Sequence, residues 1–180
     1  MIRTHLAVLL TALATGLLLG AAPGHAEEKK SLSAGLVLEN EASAKSVGLP
    51  IMPGAVRRKD DGDEGSGLTF AAWGGLFGFK IAALQLMTNE SAEKTAAYYR
   101  KALGEYGEII DCSVDAPNPG PKKAPRDKSG NKTSLDCNDD RGKKGEYVFK
   151  AGKPNNFRLV NVQPKRGQTH INLVRILATD

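Results

Sequence analysis

The chain has 180 residues, a formal net charge of +5 and two cysteines, with 41% hydrophobic and 25% charged residues. That length fits a single domain able to bury a real core. The charge is mild and scattered; it serves solubility and, at most, an anionic surface, and it argues against nucleic acid as a partner.

Arg3 precedes an apolar run, Leu6 to Leu19, and then Gly24-His25-Ala26. A basic start, an apolar middle and small residues at the cut describe a secretory signal peptide over 1–26, cleaved after Ala26. No cysteine stands at the cut to carry a lipid, and no later stretch approaches the ~20 apolar residues of a membrane span. The expected location is therefore periplasmic or secreted, with no transmembrane segment after cleavage. Residues 27–47 read as a polar leader, with a brief apolar patch at Leu36-Val37-Leu38 and room for a short helix over 40–47. From 48 to 180 the pattern is one α+β domain. It opens on Gly48-Leu49-Pro50-Ile51-Met52-Pro53-Gly54-Ala55, whose prolines fix an extended path and exclude a central strand. A charged, glycine-rich loop follows over 57–67.

Leu68 to Trp73 predicts a strand, and Gly74 to Gly78 turns it into Phe79 to Met87, so the two form a hairpin. FKIAALQLM is apolar and nearly uninterrupted, which marks a central strand or one buried on both faces. Thr88, Asn89 and Ser91 suit a helix N-cap. Ala92, Ala96, Tyr99, Leu103 and Tyr106 then recur at helical spacing. Gly104 and Gly107 are both candidate stops, and Gly107 is favoured because Glu108 to Cys112 starts at once as a strand. Residues 114–134 hold four prolines and many lysines and read as an exposed loop. Further strands are expected over 134–138, 146–150, 156–163 and 168–177, the last two joined by Pro164-Lys165-Arg166-Gly167. The expected fold is an antiparallel sheet of about five to seven strands in β-β-α-β-β-β-β order. One main helix, about 91–105, packs on one face.

Gly-Leu-Pro-Ile-Met-Pro-Gly-Ala at 48–55 and the later Tyr-Arg-Lys-Ala-Leu-Gly-Glu-Tyr-Gly at 99–107 resemble small exported bacterial proteins of uncharacterised function. Those carry a GLPxYPGA segment, a YRKxLxxYG helix and a cysteine-containing strand. Met52 stands where they have an aromatic residue. The resemblance implies an exported α+β domain and no particular activity.

Cys112 and Cys137 in an exported chain predict a disulfide. They cannot be joined with His170, the one histidine after the signal peptide, into a four-ligand zinc site, and no metal or cofactor is expected. Ser91-Ala92-Glu93-Lys94 matches the S-x-x-K of penicillin-binding proteins, but neither S-D-N nor K-T-G accompanies it. The acidic runs at 60–64 and 136–140 lack the glycine and glutamate positions of a calcium loop. No catalytic set emerges, so the residues favour a non-enzyme. Three functional readings stand. The first is an exported, non-enzymatic binding or interaction module of the cell envelope, its partner an envelope protein or an anionic surface. The second is a small periplasmic hydrolase using Ser91 and Lys94, or His170. The third is a structural membrane-surface protein. The candidate contact residues are Trp73, Leu76 and Phe77 at the hairpin tip and Lys122 and Lys123 in the long loop. Exposed apolar clusters mark contact sites, although the tip can instead fold back over the core.

Overall fold

A computed structural model describes residues 34–39, 42–58, 67–74, 77–138 and 140–179. The predicted signal peptide, the first part of the leader, most of the charged loop and Leu76 lie outside the described residues. Among the described residues, eight strands form one antiparallel sheet: β1 (Ala34–Glu39), β2 (Val56–Arg57), β3 (Gly67–Gly74), β4 (Phe77–Thr88), β5 (Ile109–Asp111), β6 (Tyr147–Lys153), β7 (Asn156–Lys165) and β8 (Gln168–Thr179). Their spatial order is β1-β3-β4-β8-β7-β6-β5, and β2 continues the β3 side of β4 beyond the end of β3. The helices are α1 (Ala44–Val47) and α2 (Ala92–Leu103).

The α+β class and the single main helix are as expected; the strand count is a correction. Two strands and a one-turn helix precede the predicted hairpin, which is β3 and β4. Leu36-Val37-Leu38, expected in a polar leader, is the middle of β1 and pairs with β3. Three consecutive apolar residues sufficed for a strand once the edge of β3 lay beside them. Residues 134–138, expected as a strand, are not one. Cys137 N–H instead bonds to Pro121 O, within the loop.

Why α2 sits where it does follows from its stripe. Ala92, Ala96, Tyr99 and Leu103 are buried and Tyr106 is half-buried, as the spacing predicts. Ser91 caps the helix, its Oγ accepting the Lys94 N–H at 3.2 Å. The helix tightens to a 3-10 turn over Gly104–Tyr106 and stops at Gly107, whose φ of 117° a side chain would resist. Its apolar stripe lies on β6 and β7, while α1 covers β4 and β8. Between them and the sheet lies the main core, with Leu84, Leu86, Phe149, Val160, Ile171 and Leu173 from the strands.

The buried Tyr99 hydroxyl accepts the Met52 N–H at 3.3 Å, tying the proline-bounded segment to the helix. Burial pushes the Tyr99 phenol up from 10.0 to about 12. The folded state thus keeps this proton where the unfolded chain has lost it, so stability falls as pH rises from about 10 to about 12. Urea unfolding across that window should show this downward slope. Tyr99→Phe should flatten it, and an equal slope in both proteins would refute the assignment.

Candidate functional site

The sheet has two faces, and the described helices cover only one. On the other, the β5 to β6 loop closes one end. The Cys112–Cys137 disulfide packs there on Val148, with Ile110 and Leu159 beside it. Lys150 marks the border of this cover. Its Nζ donates to Asp136 O at 2.7 Å, pairs with Asp140 and lies 5.6 Å from the Phe157 ring.

Beyond Phe157, no described helix or strand crosses this face over β8, β4, β3 and β1. What lies open there is apolar. Register places Leu38 beside Phe70, Phe70 beside Ile81, Ile81 beside Ile176 and Ile176 beside Phe157. This band runs across five strands, about 19 Å at ordinary strand spacing. Leu36, Leu38 and Phe77 are 68%, 61% and 58% exposed, and Leu68 is 43% exposed. Phe70, Phe79, Ile81, Val174 and Ile176 are only half-buried. A one-sided antiparallel sheet ordinarily turns polar side chains to water. Here the face does so only at its other end. There Arg58 Nη2 donates to Gln85 Oε1 at 2.5 Å, and Arg58 Nη1 lies 3.3 Å from His170 Nδ1.

The predicted contact residues do not gather into one patch. Phe77 joins the open apolar face. Trp73, 44% exposed, points to the helix side of the sheet, its ring against Gly35 where any side chain would overlap it. Lys122 and Lys123 are exposed, on the loop near the opposite edge of the sheet. Strand alternation separates Trp73 from Phe77, because they pair across the hairpin with Gly78 and Gly74 rather than with each other. The Leu38 to Phe157 band was missed, because it needs the register of five strands. Its one sequence trace is the uninterrupted FKIAALQLM run, which carries apolar residues on both parities.

The candidate nucleophile is occupied structurally. Ser91 Oγ is the helix cap, and Lys94 Nζ pairs with Glu90 Oε2 at 2.8 Å rather than with the serine. A cleft of 390 Å³ lies between α2 and β5–β6, lined by Glu93, Arg100, Asp111, Asp115, Glu146 and Tyr147 among others. Its carboxylates are mostly engaged. Asp111 takes Arg100, Asp115 accepts the Gly145 N–H at 2.9 Å, and Glu146 accepts the Lys143 N–H at 3.1 Å. Arg100 in turn stacks 4.5 Å from the centre of the Phe149 ring. Burial, then the charge of Glu93, pushes the Tyr147 phenol up. These bonds make the cleft part of the scaffold of its own loop. No group of three or more metal-ligating side chains occurs among the described residues, and no described helix is long and apolar enough to cross a membrane.

Comparison with protein-family models, curated proteins and solved structures finds no match.

Proposed function

We propose that the chain is an exported, non-enzymatic interaction module of the cell envelope that docks a protein partner on the open half of its sheet. The observation that carries this reading is the apolar band from Leu38 to Phe157, lying on the part of a face that no described helix or strand crosses. Contiguous exposed apolar surface is costly in water and marks interaction sites. A band across five strands suits a partner that brings an apolar face of its own. Export rests on the apolar leader, on the disulfide, which persists in oxidising compartments, and on the likeness of residues 48–55 and 99–107 to exported bacterial proteins.

The test is the Leu38→Ser, Leu68→Ser, Phe77→Ser triple variant. All three side chains are more than two-fifths exposed, so its melting temperature should stay close to the parent. The native protein should bind an apolar reporter dye and retain a partner from envelope extract, and the variant should lose both. A large fall in melting temperature would mean that the face is core. Retention of the partner by the variant would place the contact elsewhere. Co-sedimentation with vesicles lost in the same variant would favour the membrane-surface reading instead.

A further inference from the structure

One row on the helix side of the sheet differs from its neighbours. Register places Thr69 beside Ala82, Ala82 beside Arg175 and Arg175 beside Arg158. The row next to it is Leu84, Leu173, Val160 and Phe149, which is ordinary core. Two arginines thus stand side by side on adjacent strands, an arrangement that like charge disfavours.

Neither is neutralised: no described carboxylate pairs with Arg158 or Arg175. Arg158 is 8% exposed, yet its Nε has no hydrogen-bond partner, and neither does the buried Nε of Arg175. Thr69 Oγ1, on the far side of Ala82, is also buried and unpartnered. Unmet buried donors are uncommon in folded proteins and call for an explanation. The Arg158 guanidinium is nevertheless held in place. It lies 3.8 Å from the centre of the Tyr106 ring, and its Nη1 donates to Asn156 Oδ1 at 3.2 Å. Tyr106 OH in turn donates to Gly48 O. Gly48 packs directly against the fork, since a Cβ there would sit 3.2 Å from Nη2 and 3.3 Å from Nε. Burial, then the charge of Arg175, holds the Arg158 pKa below its usual value. Lys80 lies two residues along β4 from Ala82, half-buried on the same face and with no described carboxylate partner.

We infer that this row is an oxyanion site in which Arg158 and Arg175 hold a phosphate group. Lys80 stands at its rim and Thr69 closes its far side. Three cations, with one exposed carboxylate, Glu39, beside Thr69 at the end of the row, suit a dianion better than a single carboxylate. The planar guanidinium fork matches phosphate oxygens two at a time. The bound group would supply the acceptors that the arginine nitrogens lack and screen the two positive charges from each other. The site is on the opposite face from the apolar band and does not depend on it.

The probe is inorganic phosphate. A ligand that binds only the folded state raises the melting temperature. The native protein should therefore melt higher in phosphate than in chloride at equal ionic strength, and should show saturable phosphate binding by calorimetry. Arg175→Gln should weaken that binding by roughly ten- to hundredfold, the worth of a charge-assisted hydrogen bond. Lys80→Gln, more peripheral, should weaken it less and serves if Arg175→Gln fails to fold. The Leu38→Ser, Leu68→Ser, Phe77→Ser variant should bind phosphate like the native protein, which separates this result from the docking test. Absence of any phosphate-specific stabilisation overturns the inference, as does unchanged affinity in the folded Arg175→Gln and Lys80→Gln variants. Vesicles of phosphatidylcholine with and without phosphatidic acid identify the source. Phosphatidic-acid-dependent sedimentation lost in Arg175→Gln assigns a lipid headgroup. Phosphate binding without sedimentation assigns a soluble phosphate compound.

Discussion

Leu103→Ala should cost roughly 2–5 kcal/mol, the range for emptying a buried leucine site that cannot fully collapse. Leu103 is fully buried and belongs to the same cluster as Tyr99, Phe149, Val160 and Leu173. It is the last residue of α2, where the helix tightens into the turn that carries Tyr106. Both ends of that packing are fixed. Ser91 caps the start of the helix, and the Tyr106 ring lies under Arg158 near its end. The helix therefore has little freedom to slide into the vacated space, which favours the upper part of the range. At about 2–4 °C per kcal/mol for a chain of this size, the melting temperature should drop on the order of 10 °C. Lys101→Ala is the control. Lys101 is exposed two residues earlier on the same helix, so its loss should fall within about 0.5 kcal/mol. Equal, small shifts for both variants would show that the packed face of α2 has been misassigned.

The same helix shows why part of this fold could be read from sequence. Its periodicity, its cap among Thr88, Asn89 and Ser91 and its stop at Gly107 are all local, and each was legible without knowing any neighbour. The β3–β4 hairpin was legible for the same reason, since its two strands are separated only by a short, glycine-bearing stretch. The β1 strand was not. Leu36-Val37-Leu38 is short and follows a polar stretch, and what makes it a strand is the free edge of β3, over thirty residues away. Residues 134–138 failed in the opposite sense: their composition permits a strand, but the disulfide and the Pro121 carbonyl take up Cys137 instead. Candidate sites followed the same division. The hairpin tip drew notice because its residues are consecutive, yet alternation sends Trp73 and Phe77 to different faces. The apolar band and the arginine row each draw on four or five strands. Arg158 and Arg175 are separated by a turn and lie in runs that read as ordinary strands. Only the β7–β8 register sets them side by side.

Replacing both cysteines, Cys112→Ser with Cys137→Ser, should cost about 3–4 kcal/mol. The bond spans a sequence separation of 25, and closing a loop of that length removes this much entropy from the unfolded chain in the loop-closure model. The native state adds a second contribution. Both sulfurs are buried and pack on Val148 with Ile110 and Leu159, so two serines would place hydroxyls in an apolar pocket. Several loop contacts depend on the bridge for their position. Lys150 Nζ reaches Asp136 O beside Cys137, and the Asp136 carboxylate accepts the Ala124 N–H at 3.0 Å and pairs with Lys132. Losing the bridge should loosen this cover first, before the α2 side of the sheet. Hydrogen exchange resolves the order: amides of residues 120–137 should lose protection in the variant while those of β4 and β8 keep theirs. Thiol counting on denatured native protein should find no free sulfhydryl. Two titratable thiols, or a variant as stable as its parent, would overturn the structural role of the bridge. The apolar face offers an internal check. Cover over Phe157 and Leu159 ends at Lys150, so a released loop should widen the open band toward β7. Reporter-dye binding should then rise in the cysteine variant, the reverse of the fall expected when Leu38, Leu68 and Phe77 become serine.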